Sequence, residues 1–258
     1  MTYKGLVFFD LDGTLLDDKS QVSADNKRAL DQLRQNGYLP IIATGRSIAE
    51  LGDVLEQAEI SSVVMMNGMA IYSDGKEVFS ETIATETIEK LIKTARDLGE
   101  EIAYYTPTEI VLSGNCQGLT DHFVHFDGSQ PQVDSDFYRT TAINMLLVGT
   151  ADKSHDAIYH ERVPELHFFR NSPYSIDVTK LGVDKGTGVA QMKQVLDLTD
   201  LPTYAFGDGL NDLPLLKAVD FPVAMANAVP EIKAAASYVT GHHLKDGIRQ
   251  GLQHLGLI

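Results

Sequence analysis

Leu6-Val7-Phe8-Phe9-Asp10-Leu11-Asp12-Gly13-Thr14 sets four apolar residues directly against two carboxylates one position apart. A short apolar run bounded by turn residues reads as a buried strand. Like charges at the end of such a strand repel, and burial makes ionising both of them harder. The same change of character recurs along the chain. Ile41-Ile42-Ala43 leads into Thr44-Gly45-Arg46, Val63–Met66 into Asn67-Gly68, and Tyr204-Ala205-Phe206 into Gly207-Asp208-Gly209. Segments of helical period separate these runs. Ser23–Asn36 carries Ala29, Leu30 and Leu33 on one face, a serine N-cap at its start and Gly37 beyond its end. Ser47–Ala58, Lys185–Leu196 and a stretch beginning near Asp212 also read as helices, with strands at Thr203–Phe206 and Phe221–Met225.

Strands alternating with helices imply right-handed crossovers and a parallel sheet. In an open α/β sheet the ligand crevice lies at the carboxyl ends of the strands. The polar strand ends therefore converge on one crevice, which collects Asp10, Asp12, Asp208 and Asp212 beside Thr44, Gly45, Arg46 and Asn67. Packed carboxylates need compensation. A donor set made only of oxygen, with neither His nor Cys, favours Mg²⁺ over zinc. Mg²⁺ held by few protein ligands commonly also serves a phosphoryl group. The Thr44 hydroxyl, the Gly45 N–H and Lys185, at the start of a helix, are donors of the kind a phosphate requires. Lys185-Gly186-Thr187-Gly188 does not have the spacing of a Walker A loop.

The middle of the chain reads differently. A helix with Ile88, Leu91, Ile92, Ala95 and Leu98 on one face ends at Gly99. Strand candidates follow at Ile102–Tyr105, Glu109–Leu112, Ile143–Val148, Leu166–Arg170 and Ser175–Val178, with a polar loop at Gly128–Asp136. The expected fold is α/β: a Rossmann-like parallel-sheet core over residues 1–81 and 183–258, with an inserted α+β domain over 82–182.

Composition narrows the class. The chain has 258 residues, 43% of them hydrophobic, enough for a substantial core. A formal net charge of −15 opposes nucleic acid and anionic membrane, and an anionic substrate would need local positive charge. Cys116 is the single cysteine, so an internal disulfide is excluded, and a reducing, cytoplasmic setting is expected. No apolar run is long enough to span a bilayer. The opening Met1-Thr2-Tyr3-Lys4-Gly5 does not read as a signal peptide, because an apolar strand ending in charges follows at once.

Asp10-Leu11-Asp12-Gly13-Thr14, Thr44-Gly45-Arg46, Lys185 and Gly207-Asp208-Gly209-Leu210-Asn211-Asp212 resemble, in order and spacing, the four motifs of the haloacid dehalogenase-like (HAD) superfamily. The large insertion, Asn67-Gly68 and the run Val223-Ala224-Met225-Ala226-Asn227-Ala228 look like the Cof-type phosphatases of subclass IIB, whose inserted domain is a C2-type cap. The resemblance implies that Asp10 is the nucleophile and that Asp12 first protonates the leaving oxygen, then deprotonates the hydrolytic water. It implies Mg²⁺ on the carboxylates of Asp10 and Asp208 and the backbone carbonyl of Asp12. Thr44, Lys185 and Asn211 would hold phosphoryl oxygens. Asp212 would orient either Lys185 or a metal-bound water. Arg46 would either face the substrate or brace the cap, and the turn at His242-His243 would lie near the site mouth. Asp12 separates this pattern from related pumps, which carry Thr there, and from dehalogenases, which lack the second Asp. The implied activity is Mg²⁺-dependent hydrolysis of a small phosphorylated metabolite, a sugar phosphate or phosphorylated cofactor, through an aspartyl-phosphate. The alternatives are a phosphomutase and a non-catalytic module that binds a phosphorylated ligand. Oligomeric state is left open.

Overall fold

The computed structural model describes residues 3–126, 128–170 and 172–258. Met1 and Thr2 of the opening pentapeptide lie outside them. Eight strands form the larger sheet: β1 (Gly5–Phe9), β2 (Tyr38–Ala43), β3 (Ser62–Met65), β4 (Ala70–Ser73), β5 (Lys76–Ser80), β6 (Thr203–Gly207), β7 (Phe221–Ala224) and β8 (Tyr238–Val239). Their order is β8-β7-β6-β1-β2-β3-β4-β5. The pairs from β8 to β3 are parallel, and β4 returns antiparallel along β3. Every residue of β1 is buried, as an apolar strand in a sheet covered on both faces requires. Leu6 and Phe8 join Ile41, Val64, Val189 and Met192 in one cluster, and Phe9 stacks on Phe206 at 5.2 Å between ring centroids. Burying side chains of this size contributes about 1.5–3 kcal/mol each.

Phe9 lies level with Phe206 on one side and Ile42 on the other. The residues that follow β1, β2 and β6 therefore emerge at one edge. β1 sits between β2 and β6, so the strand order reverses there, which is where an α/β sheet opens a crevice.

The helices around this sheet begin where short polar side chains satisfy free N–H groups. The Ser23 hydroxyl accepts from the N–H of Asn26 at 3.1 Å and starts Ala24–Gln35. Asp184 starts Lys185–Val195 through a reciprocal pair with Thr187. Pro214 falls in the first turn of Leu213–Lys217, a position that needs no N–H donor. The helix expected over Ser47–Ala58 is instead two short ones, Ile48–Leu51 and Val54–Ala58, separated at Gly52, whose φ is +51°.

The chain divides into two compact units. One comprises the residues up to Arg46, Leu51–Phe79 and Asp184–Ile258; the other comprises Ser47–Glu50 and Ser80–Val183. Ser47–Glu50 thus belongs with the second unit, although sequence alone groups it with the first. The second unit has its own six-stranded sheet, ordered Leu166–Phe169, Ser175–Lys180, Met145–Gly149, Ile102–Tyr105, Ile110–Leu112, Gln132–Val133. Its strands pair antiparallel except for the last two. The helices Thr85–Asp97, Gln117–Phe126 and Asp156–Arg162 complete it. Two features depart from the sequence reading. Gln132–Val133 is a strand inside the stretch expected to be loop, and Asp156–Arg162 is a helix too short to show a period. Among the described residues, no helix is long and apolar enough to cross a membrane.

Candidate active site

Asp10 is the first residue past β1. Its N–H donates to the Phe206 carbonyl at 3.0 Å, which fixes its backbone to the neighbouring strand. Its buried carboxylate accepts from the Lys185 ammonium at 2.5 Å. Lys185 is wholly buried and donates a second bond, of 2.7 Å, to Asp212. The other oxygen of Asp212 accepts from the N–H groups of Asp208 and Gly209 at 2.9 and 3.0 Å. Of the two roles open to Asp212 from sequence, the structure places it against Lys185. The same carboxylate also folds the turn after β6.

Asp208 faces this group. One of its oxygens accepts from the Thr14 hydroxyl at 2.9 Å and the other from the Asn227 amide at 3.3 Å. Gly13 makes room for it. With φ at +78°, a Cβ on Gly13 would stand 2.3 Å from the Asp208 carboxylate, so any side chain there would be both strained and in collision. Carboxylate oxygens of Asp10, Asp208 and Asp212 all lie within 4.8 Å of one another.

The electrostatics follow from this crowding. Burial, then the charge of Asp212, raises the Asp10 pKa well above the ordinary carboxylate range; Lys185 opposes the shift, and Asp208 and Asp12 add to it. Asp208 is pushed up to about 6, first by burial and then by Asp212. Burial alone would favour discharging Lys185, but Asp10 and Asp212 outweigh it and move its pKa upward. Asp10 and Asp212 share one ammonium and Asp208 faces none, so with all three carboxylates ionised the group carries more negative than positive charge, and the raised pKa values express that excess. That residue of charge, and a donor set made entirely of oxygen, fit a hard divalent cation such as Mg²⁺.

Asp12 stands apart from the buried cluster. Its carboxylate is half-exposed and is gripped by the Arg46 guanidinium, with Nε at 2.9 Å and Nη2 at 2.5 Å. Arg46 therefore braces Asp12, an assignment that neither alternative drawn from the sequence contained. At the end of β2, the buried Thr44 hydroxyl accepts from the Arg46 N–H at 3.1 Å across Gly45. Asn67, buried with φ at +52°, donates its N–H to the Thr44 carbonyl at 3.0 Å and accepts from the Asn211 amide at 3.3 Å. Thr44, Asn67 and Asn211 are thus joined in one chain of contacts.

The glycines after Lys185 have a packing reason. A Cβ on Gly186 would stand 2.5 Å from the Pro214 carbonyl oxygen, and one on Gly188 would stand 2.4 Å from Val64. They let the helix lie close against β3 and the helix Leu213–Lys217. Thr14 and Asn227 were given no site role from sequence, and His243 was expected only as part of a turn near the site mouth. Thr14 closes the Asp-x-Asp-Gly-Thr motif and Asn227 lies in the Val223–Ala228 run, so the signal for both was present without an indication of partner. No local pattern singles out His243.

Comparison with known proteins places the whole chain in a family. Residues 7–252 match the family model described as haloacid dehalogenase-like hydrolase. The chain is 30% identical over 262 residues to "Putative phosphatase YkrA" of Bacillus subtilis (strain 168), covering 98% of each chain. It is 26% identical to the 5-amino-6-(5-phospho-D-ribitylamino)uracil phosphatase YcsE of the same organism, covering 96% of this chain and 94% of that one. The fold superimposes on the HAD subclass IIB sugar phosphatase BT4131 with a TM-score of 0.90 and 24% identity, covering 98% of this chain and 100% of that one. The protein belongs to the haloacid dehalogenase-like hydrolase family, in which its relatives are phosphatases.

Proposed function

We propose that this haloacid dehalogenase-like phosphatase hydrolyses small phosphomonoesters by passing the phosphoryl group through Asp10, with Mg²⁺ as cofactor. The observation that carries the reading is the Asp10–Lys185–Asp212–Asp208 group, which presents a carboxylate at the sheet edge and sets three carboxylates against one ammonium. Asp10 attacks phosphorus and the ester oxygen departs with a proton from Asp12. Water then attacks the aspartyl-phosphate, giving its proton to Asp12, and inorganic phosphate leaves with the Asp10 carboxylate restored. The Arg46 fork donates to both oxygens and so fixes the direction of the ionised Asp12, the form that takes the proton from water; in the acid step one of these bonds gives way to the proton. Lys185, the Thr44 hydroxyl and Asn211 offer donors to the equatorial phosphoryl oxygens, where transition-state charge is spread. Asp10, Asp208 and the Asp12 backbone carbonyl would hold Mg²⁺, which supplies the positive charge that lets a carboxylate approach a phosphate.

We read the second unit as the cap domain. The substrates are sugar phosphates or phosphorylated cofactors, a class consistent with the names of the relatives. The test is release of inorganic phosphate from a panel of such compounds in Mg²⁺, lost on adding EDTA and regained with excess Mg²⁺. Tight ligand binding without release would support a binding module instead. Interconversion of hexose phosphate isomers without release would support a mutase.

The metal reading also predicts how stability responds to pH. Asp10 and Asp208 have pKa values raised by folding, so the metal-free folded chain holds protons that the unfolded chain has already given up. Stability from these groups is present at acid pH and is lost as pH rises through their raised pKa values, about 6 for Asp208. Mg²⁺ competes with those protons and offsets the repulsion. Its effect on the melting temperature is therefore expected to be larger at pH 7.5 than at pH 5. An equal shift at both would contradict binding at this cluster.

A further inference from the structure

We infer that Asn227 is a positioning residue for Asp208, and that His243 in turn holds Asn227 and the loop carrying Asp10. The inference rests on the cation site proposed above. A partly buried carboxylate flanked by Asp10 and Asp212 is pushed away from the position where it would share a cation with Asp10. Asp208 is restrained at both oxygens, by Thr14 on one and by Asn227 on the other. Asn227 suits the task because a neutral amide donates to the carboxylate without adding a positive charge that would compete with the cation.

The orientation of the amide is set from both ends. Its nitrogen donates to the Gly13 carbonyl at 2.7 Å and to Asp208 at 3.3 Å, while its oxygen accepts from the backbone N–H of His243 at 3.2 Å, a bond independent of the imidazole. A flipped amide would turn its oxygen toward a carbonyl and a carboxylate and its NH₂ toward an N–H. The His243 ring extends the link. Its Nδ1 lies 2.9 Å from the Leu16 carbonyl, which can only accept, so Nδ1 carries the proton. The turn containing His243 is itself closed by bonds from the N–H groups of Leu244 and Lys245 back to His242. Gly13 and Leu16 belong to the segment that starts at Asp10. One C-terminal turn thus clamps the nucleophile loop and the Asp208 carboxylate in a common frame.

Partners of this kind typically account for a 10- to 100-fold change in metal affinity. The experiment is Mn²⁺ binding by electron paramagnetic resonance on the full chain, beside thermal melts in EDTA. Wild type is expected to bind. Asn227→Ala is expected to bind about 10- to 100-fold more weakly while still melting cooperatively, and His243→Ala about 10-fold more weakly. His243→Asn is expected to recover most of that loss, because its Nδ2 can donate from near the position of the lost Nδ1. In turnover, Asn227→Ala should raise the Mg²⁺ concentration needed for half-activation and leave kcat largely recoverable at saturation. Wild-type Mn²⁺ affinity in a cooperatively melting Asn227→Ala would overturn the inference. If Asn227→Ala does not fold, Asn227→Ser decides: wild-type Mn²⁺ affinity in a cooperatively melting Ser variant would overturn the Asn227 assignment, and Asn no better than Ala at position 243 would overturn the hold of the His243 ring on the loop carrying Asp10. Failure of the wild-type chain to bind Mn²⁺ would instead defeat the cation site itself.

Discussion

An Asp10→Asn chain is expected to lose turnover by about 10⁴-fold or more while melting at or slightly above the wild-type temperature in EDTA. The amide is nearly isosteric with the carboxylate, so the end of β1 keeps its shape. It is also a poor nucleophile, and loss of the group that forms the covalent intermediate removes the whole two-step route. The stability expectation has the opposite sign. Asp10 contributes one of three crowded carboxylates, two of them buried, and its raised pKa shows that folding disfavours its ionised form. Neutralising it leaves Lys185 its second partner, Asp212, at 2.7 Å. The metal-free melting temperature of the variant should also depend less on pH above the ordinary carboxylate range, since a proton bound on folding is no longer involved. Phosphate release and calorimetry at several pH values check both halves. Residual activity of a few per cent would remove Asp10 from the nucleophile's role; a large fall in melting temperature would show the carboxylate to be a net stabiliser.

Lys185→Met is expected to affect activity and fold together. The side chains match in length, but Lys185 is wholly buried and its ammonium is bonded to two buried carboxylates. Removing one partner of a buried ionic group typically costs about 3–5 kcal/mol, because the charges left behind are uncompensated. For a chain of this size that corresponds to a fall of roughly 10 °C in melting temperature. The deficit should be greatest at neutral pH and shrink in acid, where the carboxylates take up protons, and Mg²⁺ should restore part of it. Activity should drop by about 10²–10³-fold, the usual effect of deleting one fixed donor to transition-state charge. Scanning calorimetry with and without Mg²⁺ separates the two effects. A variant that melts like wild type at pH 7.5 would show that the Asp10–Asp212 repulsion is relieved by some other route.

Much of this site was legible before any coordinates. Asp10, Asp208, Lys185 and Thr44 each sit at the end of an apolar run or the start of a helical period, and such boundaries follow from local burial and hydrogen bonding. Adjacent boundaries then converge because parallel α/β sheets bring carboxyl ends of strands to one edge. Where local reasoning failed, the cause was also local. The helix expected over Ser47–Ala58 breaks at Gly52, where the chain adopts a left-handed conformation that a hydrophobic period does not report. The strand Gln132–Val133 is two residues long and exposed, so it carries no alternation to detect.

The amino-acid sequence by itself determined the kind of sheet, the order of its strands and helices along the chain, and the presence of acidic, cationic and hydroxyl groups at its polar end. Those are consequences of short-range periodicity and residue chemistry. Only the tertiary structure decided how the groups divide among partners: Asp212 to Lys185 and two backbone N–H groups, Asp12 to Arg46, and Asp208 to Thr14 and Asn227. Thr14 and Asp208 are 194 positions apart, and Leu16 and His243 are 227 apart. A bond across such a distance depends on which strands become neighbours and which face each loop leaves open, and no local pattern carries that information.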